Sequence, residues 1–197
     1  ECIFGIRKPI QGNAYLDGNR ITSVKSAVRE GIAFLPENRR KEGLVLDHSI
    51  RSNIMLTNLS FFRKFGFMDD SKGRKVTAEY IDKLKIKTNN SEKVVRLLSG
   101  GNQQKVVFSK WLAKNPRLFI LDEPTIGVDI VAKMEIVEII RSIADQGVAV
   151  LVISSELAEL LAVSDRLIVI HNGKINGELS RKEISSEEVL HNAIQGI

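Results

Sequence analysis

Residues 98–106 read Leu98-Ser99-Gly100-Gly101-Asn102-Gln103-Gln104-Lys105-Val106, and they are the most informative segment of this 197-residue chain. The pattern is that of a tight turn that runs directly into a helix, with Ser99 as a favourable N-cap residue. Two adjacent glycines allow a ligand to approach the backbone closely. A helix start also offers unpaired N–H groups and the positive end of the helix dipole, which suits a phosphate. On its own, such a segment is usually only a turn before a packed helix.

A second informative segment follows, in which the apolar run Leu118–Leu121 ends in Asp122 and Glu123. A short continuous apolar run is typical of a strand buried on both faces of a parallel sheet. The two carboxylates then stand at the C-terminal end of the strand, where open α/β sheets bind their ligands. Asp122 suits a magnesium ligand, and Glu123 suits a group that polarises an attacking water. Either segment alone occurs by chance, but the two in this order and spacing are highly specific.

These segments resemble motifs of the ATP-binding cassette (ABC) ATPases. Residues 98–103 match the signature motif, residues 119–123 match Walker B with its catalytic glutamate, and residues 126–129 match the D-loop. The longer string from Leu98 to Lys105 is most similar to the second cassette of tandem-cassette bacterial sugar importers of the ribose, galactose and xylose type. The resemblance extends over nearly the whole chain from Gly5 onward. It implies an α/β fold with a P-loop NTPase-like, mainly parallel sheet, flanking helices, a small antiparallel β region and a helical subdomain.

The resemblance also divides the chain into three parts. Residues 1–48 would form the N-terminal part of the catalytic core, residues 49–98 the helical subdomain, and residues 99–197 the signature helix with the remainder of the core. Local patterns predict buried strands at 32–35 and 118–121 and a fully apolar strand at 148–153. They also predict hairpins at 14–21 and 167–178, helices at 50–59, 76–86 and 130–146, a closing helical turn at 1–5 and a capping box for a final helix at 185–188. In the first of these helices, Ile50, Ile54, Met55 and Leu59 fit one helical face.

The resemblance assigns roles to individual residues. Asp122 would bind Mg²⁺, and Glu123 and Ser155 would occupy the catalytic positions of an ATPase. The positions that would contact ATP are Ser99, Gly100, Gly101, Asn102, Gln103, Glu37 and Asp129. Most cassettes have a histidine at the position of Ser155, where it contacts the γ-phosphate. The alternative for Ser155 is that it only caps the next helix.

Two connecting segments, one polar and one aromatic, can each be interpreted in two ways. By composition, residues 37–43 are a solvated linker, whereas in the family this position is the Q-loop, which touches the metal, the attacking water and the membrane subunits. Glu37 replaces the usual glutamine there, as it tends to do in second cassettes of sugar importers. The aromatic segment 61–68 either packs inside the helical subdomain or forms an apolar docking surface for a membrane partner. In the docking interpretation, alanine at Phe62 and Phe65 abolishes assembly and leaves the fold intact.

The phosphate-binding loop of the family is missing from this sequence, because no segment of the form G-x-x-x-x-G-K-[ST] occurs in it. In the family this loop precedes the residues that match 1–5, so we expect the chain to be a piece of a longer protein. Losing about five hydrogen bonds worth about 1 kcal/mol each weakens binding by roughly 5 kcal/mol. We therefore predict no useful ATP binding by this chain alone. In assembled cassettes, the signature of one half closes over ATP that the other half holds.

Composition sets broad limits on function. A net charge of +5 favours acidic partners such as nucleotide phosphates, although the basic residues are scattered rather than clustered. No apolar run approaches the roughly 20 residues that span a bilayer, and no secretory signal is evident. The single cysteine, Cys2, excludes an intrachain disulfide and agrees with a reducing cytoplasm.

The resemblance therefore predicts an ATPase subunit at the cytoplasmic face of the membrane that drives monosaccharide uptake. Its partners would be a first ATP-binding cassette, transmembrane permease subunits and, indirectly, a sugar-binding protein. One alternative is a non-transport cassette ATPase that acts on DNA or ribosomes. Another is a docking or regulatory domain that does not hydrolyse ATP. The sequence does not encode which sugar is carried.

Overall fold

A computed structural model of the chain describes residues 1–64 and 67–183. Its centre is a three-stranded parallel sheet built from β3 (Ile32–Leu35), β6 (Leu118–Asp122) and β7 (Ala149–Ile153), with β6 in the middle. Ile32 pairs with Leu118, and Leu118 in turn pairs with Ala149, so the three strands end at one edge of the sheet. The three strands predicted from the sequence are thus confirmed.

The strand β7 has a fully apolar sequence but is less buried than β3. Every residue of β3 is buried, whereas β7 is half-buried along its middle and Ile153 is 44% exposed. Among the described residues, β7 pairs with β6 alone and lies at an edge of the sheet. An edge strand has one unpaired side, which explains why its apolar sequence is less covered than that of β3.

Two antiparallel hairpins form as predicted, each as a two-stranded sheet separate from the central parallel sheet. The first is β1 (Ala14–Leu16) with β2 (Asn19–Ile21), and the second is β8 (Arg166–His171) with β9 (Lys174–Ser180). Each has a two-residue turn in which both central residues have positive φ: Asp17 and Gly18, then Asn172 and Gly173. Asp-Gly and Asn-Gly adopt this geometry readily, and it matches the twist of antiparallel strands.

The helix α4 (Gly100–Leu112) occupies the centre of the molecule. It is buried on almost all sides between the sheet and the helical lobe, and Val106, Val107 and Phe108 are completely inaccessible. It packs against β3 on one side and against α2 (Ile50–Met55) on another. A helix with so few exposed residues is held by tertiary packing rather than by intrinsic propensity.

The lobe at residues 49–98 contains α2, a 3₁₀ turn at Leu56–Asn58, the short strands β4 (Arg63–Lys64) and β5 (Phe67–Met68), the helix α3 (Asp70–Lys83) and a 3₁₀ turn at Val95–Leu97. Ile50, Ile54 and Met55 are buried on α2. The prediction that Leu59 lies on the same helical face is wrong, because α2 ends at Met55, and Leu59 is exposed. The apolar residues of the lobe and the sheet form one continuous core, so the division into three parts stays a prediction.

Neither the packing interpretation nor the docking interpretation holds for all the described residues of segment 61–68. Phe62 is completely buried and packs edge-on against Phe61, whereas Phe67 is 82% exposed. Alanine at Phe62 would therefore open a cavity in the lobe, so it is not a clean test of docking. Phe65, the second residue of that test, lies outside the described residues.

The remaining helices of the described residues are α1 (Val24–Arg29), α5 (Ile130–Asp145) and α6 (Leu157–Val163). At the start of the chain, the N–H groups of Gly5 and Ile6 bond the carbonyls of Cys2 and Glu1, which confirms a closing helical turn. The predicted final helix at 185–188 lies outside the described residues. Within the described residues, no helix has the length and apolar character needed to cross a membrane.

Candidate functional site

The first part of the site is the N-terminal tip of α4. Ser99 is exposed and holds the N-cap position, but its side chain makes no capping hydrogen bond, contrary to the sequence prediction. Instead the Ser99 Oγ accepts a hydrogen bond of 2.8 Å from Asn102 Nδ2, while Asn102 Oδ1 accepts one of 2.7 Å from the N–H of Lys87. Asn102 therefore ties the tip to the end of the lobe. The first backbone N–H groups of α4 are left without a side-chain cap, as an anion site requires.

The two glycines at this tip are needed for packing within the protein. A Cβ atom on Gly101 would lie 2.5 Å from the Cβ of Ala132, at the start of α5. A Cβ atom on Gly100 would lie 2.8 Å from both the Arg39 Nη2 and the Gly127 carbonyl oxygen. The sequence prediction that the glycines admit a ligand is therefore incomplete, because both positions already contact neighbouring segments.

The side chain of Gln103 points into the protein. It is 1% exposed, and its Nε2 donates to the carbonyls of Val95 and Leu98 at 3.3 Å and 3.1 Å. These bonds hold the 3₁₀ turn that leads into α4. The predicted contact of Gln103 with a nucleotide would thus have to be made by its main-chain atoms.

The second part of the site is the end of β6, where Asp122 and Glu123 stand side by side. Burial raises the pKa of Asp122, and the negative charges of Glu37 and Glu123 raise this pKa further. Glu37 follows β3, whose last residue pairs with Leu121, so the sheet brings Glu37 and Asp122 to the same edge. Glu37 itself is exposed. The three carboxylates predicted from separate segments therefore share one neighbourhood.

Glu123 and Ser155, the two predicted catalytic residues, are in direct contact. The Ser155 N–H donates to the Glu123 Oε1 at 2.8 Å, and the Glu123 N–H donates to the Ile153 carbonyl at 2.9 Å. The N-cap residue of α6 is Glu156, so the alternative prediction that Ser155 caps this helix is wrong. Ser155 holds the carboxylate through its main chain, and its exposed side chain is left available.

Asp129 caps a helix. Its carboxylate accepts a hydrogen bond of 2.9 Å from the N–H of Ala132 and so fixes the start of α5. Since Ala132 also touches Gly101, this cap sets the position of the tip of α4. One Asp129 carboxylate oxygen is thus already engaged, and any nucleotide contact would use the other.

Sequence reasoning missed Arg39 as a member of this site. Residues Arg39–Gly43 form a single π-helical turn, and the Arg39 guanidinium donates to the Ile126 and Gly127 carbonyls at 2.6 Å and 2.9 Å. The solvated-linker interpretation is therefore wrong for Arg39. No local pattern could have revealed these contacts, because both partners lie in a distant part of the sequence.

Glu159 was missed as well. It is 5% exposed, and its Oε2 accepts hydrogen bonds from the Ser154 Oγ at 2.5 Å and the Thr125 Oγ1 at 3.3 Å. Burial raises the pKa of Glu159, while the two hydroxyl bonds oppose this shift. The buried carboxyl links the loop after Glu123 to the segment that holds the Glu123 carboxylate. Its spacing within α6 resembles that of any core residue, so no sequence pattern distinguishes it.

A magnesium ion fits this site with Asp122 as a protein ligand and phosphate and water oxygens as the others. Within residues 1–64 and 67–183, no group of three or more His, Cys, Asp or Glu side chains is arranged to hold a metal. Mg²⁺ in phosphate-handling sites is typically bound by one or two carboxylates, with phosphate and water oxygens completing the octahedron. A half-buried carboxylate at a strand end meets that requirement as a single protein ligand.

Comparison with known proteins identifies the family. A family model described as "ABC transporter" matches residues 1–126, which is more than half of the chain. The chain belongs to the ABC transporter family. The resemblance inferred from the signature motif and Walker B is thereby confirmed.

Curated relatives of this ABC transporter chain include ribose import ATP-binding proteins named RbsA. The one from Geobacillus kaustophilus is 47% identical over 198 residues, and the one from Bacillus subtilis is 43% identical over 198 residues. In both cases all of this chain is covered but only 40% of the relative. The chain thus spans well under half the length of the curated relatives it matches.

Solved structures of ATP-binding cassettes share the fold of this ABC transporter chain. A dimeric post-hydrolysis state of the cassette MJ0796 with ADP and phosphate has a TM-score of 0.77 and 22% identity, covering 91% of this chain and 78% of that one. A nucleotide-free cassette from an ABC transporter has a TM-score of 0.78 and 21% identity, covering 98% of this chain and 77% of that one. The predicted α/β fold class is confirmed.

Proposed function

We propose that this chain is part of the ATP-hydrolysing component of a sugar importer and that it acts chiefly in trans. In this proposal, the tip of α4 closes over ATP that is bound by another cassette of the same complex. Ser99 and the uncapped N–H groups would face the γ-phosphate and stabilise the charge that develops during in-line attack by water. The names of the relatives, which are ribose import proteins, favour a monosaccharide such as ribose as the transported molecule.

The observation that carries this proposal is the exposed, uncapped helix tip with an apolar rim beside it. Leu97, immediately before the tip, is 64% exposed, and Ile130 at the start of α5 is 78% exposed. Ile126 and Val131 are exposed as well. Contiguous exposed apolar residues around a polar site are typical of a surface that another protein covers. A second cassette closing on this rim would bring a bound phosphate to the tip.

The strand-end carboxylates would serve the site of this chain itself. Asp122 would bind Mg²⁺, and Glu123, held by the Ser155 main chain, would orient the attacking water. Glu37 would approach the same metal and water from the end of β3. The sequence contains no phosphate-binding loop, so ATP at this site would need phosphate contacts from elsewhere in the complete protein.

The proposal also names the remaining partners. Permease subunits would dock on the lobe, where Phe61, Phe67 and Met68 are exposed, and a sugar-binding protein would act through the permease. The chain would then lie at the cytoplasmic face of the membrane as a peripheral subunit. Among the described residues, Lys72 stacks over the Phe61 ring and supplies a positive charge beside this apolar surface.

Two substitutions in the complete protein that contains this chain would test the trans hypothesis. Ser99→Arg places a bulky group at an exposed tip, where folding should be unaffected but closure over the γ-phosphate is blocked. We expect it to reduce ATP hydrolysis at least about a hundredfold. Glu123→Gln should reduce hydrolysis less, because the trans site would retain its own water-orienting group.

The control is Ser71→Arg, the same change at an exposed position near the start of α3. This variant should hydrolyse ATP at the wild-type rate. Phosphate release by purified, folded protein is the measurement. Equal losses for Ser99→Arg and Glu123→Gln, or a greater loss for Glu123→Gln, would contradict the proposed division of roles.

A further inference from the structure

Arg39 lies at the point where three segments of the candidate site meet. Its two terminal nitrogens donate to the successive carbonyls of Ile126 and Gly127, at 2.6 Å and 2.9 Å. The same Nη2 atom lies 2.8 Å from the point where a Cβ of Gly100 would be. Arg39 therefore joins the segment after β3, the loop that precedes Asp129, and the tip of α4.

The turn that begins at Arg39 is fixed to α4 at its other end as well. The Lys110 Nζ donates to the Gly43 carbonyl at 2.7 Å, and a Cβ on Gly43 would lie 3.2 Å from the Val107 side chain. Asn38 caps the turn through a bond from the Lys41 N–H at 3.2 Å. The segment from Asn38 to Gly43 thus lies along α4, and Arg39 is the part of it that reaches the helix tip.

The position of Arg39 is not explained by charge pairing. No ion pair within the described residues involves Arg39, and its Nε is buried without a hydrogen-bond partner. A cation beside the N-terminus of a helix is unfavourable with respect to the helix dipole. The two carbonyl bonds therefore account for its placement. A guanidinium suits this role because its planar fork holds two acceptors in a fixed geometry, which an ammonium does not.

We propose that Arg39 is a positioning residue, whose guanidinium holds the tip of α4 and the Ile126–Gly127 loop in one relative arrangement. This inference rests on the proposed trans function. Ser99 on the tip and Asp129 after the loop then reach a nucleotide on the opposite cassette as one surface. Gly127 has a φ of +66°, a left-handed conformation that turns this loop toward the guanidinium. Without Arg39, Gln104, whose Nε2 donates to the Pro124 carbonyl at 2.7 Å, would still join α4 to the start of the loop. The link at Ile126 and Gly127 would be lost, and with it the alignment at the γ-phosphate in part of the population.

The experiment compares Arg39→Gln, Arg39→Lys and the control Arg40→Gln in the complete protein. Arg40 is the exposed neighbour, so its substitution removes the same charge without touching Ile126 or Gly127. We expect both Arg39 variants to lose about tenfold or more in kcat, since small misplacements of positioning groups have effects of this size. The KM for ATP should change less than about threefold, because another segment holds the nucleotide. The Tm should stay within about 4 °C of the wild type.

Three outcomes would overturn this inference. The first is a wild-type kcat in Arg39→Gln, and the second is a loss that disappears when kcat is expressed per folded molecule. The third is full activity of Arg39→Lys, which would mean that positive charge alone suffices. Ser99→Arg is measured in parallel to separate the two proposals. If Ser99→Arg is inactive while the Arg39 variants are active, only the inference about Arg39 fails; if Ser99→Arg is active, the trans function fails and the inference fails with it.

Discussion

Glu123 occupies a left-handed backbone conformation, with a φ of +47°, at the carboxyl end of β6. A non-glycine residue in this region stores strain of about 1–3 kcal/mol, which surrounding contacts must offset. Here the contacts are the Ile153 carbonyl, which accepts from the Glu123 N–H, and the Ser155 N–H, which donates to the carboxylate. The strained conformation turns the carboxylate toward the next strand end. Motif matching found the residue but not this geometry, which depends on a neighbouring strand.

The buried carboxyl of Glu159 makes a pH-dependent prediction. Its pKa in the folded protein is raised above 4.5 by burial, with Glu156 and Glu123 adding to the shift. Above pH 4.5 this carboxyl therefore holds its proton more often in the folded state than in the unfolded state, so the contribution of Glu159 to stability falls as the pH rises. Glu159→Gln removes this fall and can still accept from Ser154. We expect the variant to become more stable, relative to wild type, as the pH rises from 4.5 toward 8.

Urea unfolding at several pH values is the measurement for this prediction. Glu138→Gln, an exposed substitution on α5 that also removes one carboxylate, serves as the control. A constant difference in unfolding free energy between wild type and Glu159→Gln over this pH range would show that Glu159 does not titrate as its burial implies.

At the level of single elements, α4 and α5 are held together by the contact of Gly101 with Ala132. A Cβ on Gly101 would approach the Ala132 Cβ to 2.5 Å, so the two helix starts cannot accommodate a methyl group without moving apart. We expect Gly101→Ala to destabilise the protein by about 1–3 kcal/mol, as overpacking does. Adding Ala132→Gly should restore part of this loss, because the two residues touch and their effects are not additive.

The control for this pair is Gly177→Ala in β9, where an added Cβ meets nothing within 4 Å. Denaturant unfolding should give Gly177→Ala a free energy within about 0.5 kcal/mol of wild type. If Gly101→Ala is as mild as this control, the close approach of the two helices is not rigid. If adding Ala132→Gly restores none of the lost unfolding free energy, the clash of the added methyl group is not with Ala132.

The elements that could be predicted from the sequence are those whose pattern lies within the element itself. The three strands, the two hairpins and α5 follow from apolar runs, turn residues and helical periodicity. The helix α3 was predicted to begin at residue 76 but begins at Asp70, since its first turn is polar and shows no periodicity. At the site, Asp122 and Glu123 were found because they directly follow an apolar strand. Arg39 was missed because its role depends on carbonyls in a distant loop.

At the scale of the whole molecule, several apolar surfaces of the sheet and the lobe are left uncovered by the chain itself. The strand β7 is half-buried, the rim beside the tip of α4 is apolar, and the lobe exposes Phe67. The lobe nevertheless shares one hydrophobic core with the sheet, so movement of the lobe would be transmitted directly to α4. The proposed position between a permease and a second cassette would require this combination of a continuous core and uncovered faces.

The absence of a phosphate-binding loop from this sequence leads to the last prediction, which concerns ATP binding by the chain alone. The tip of α4, Asp122 and Glu123 offer isolated contacts, and the loop that would supply about five hydrogen bonds is missing. At about 1 kcal/mol for each bond, the affinity should be lower by three to four powers of ten than that of a complete cassette. Isothermal titration of the chain with ATP and Mg²⁺ should therefore show no binding in the micromolar range, whereas the complete protein should bind under the same conditions. Micromolar binding by the chain would mean that its own strand-end site holds the triphosphate, and the trans arrangement would then be unnecessary.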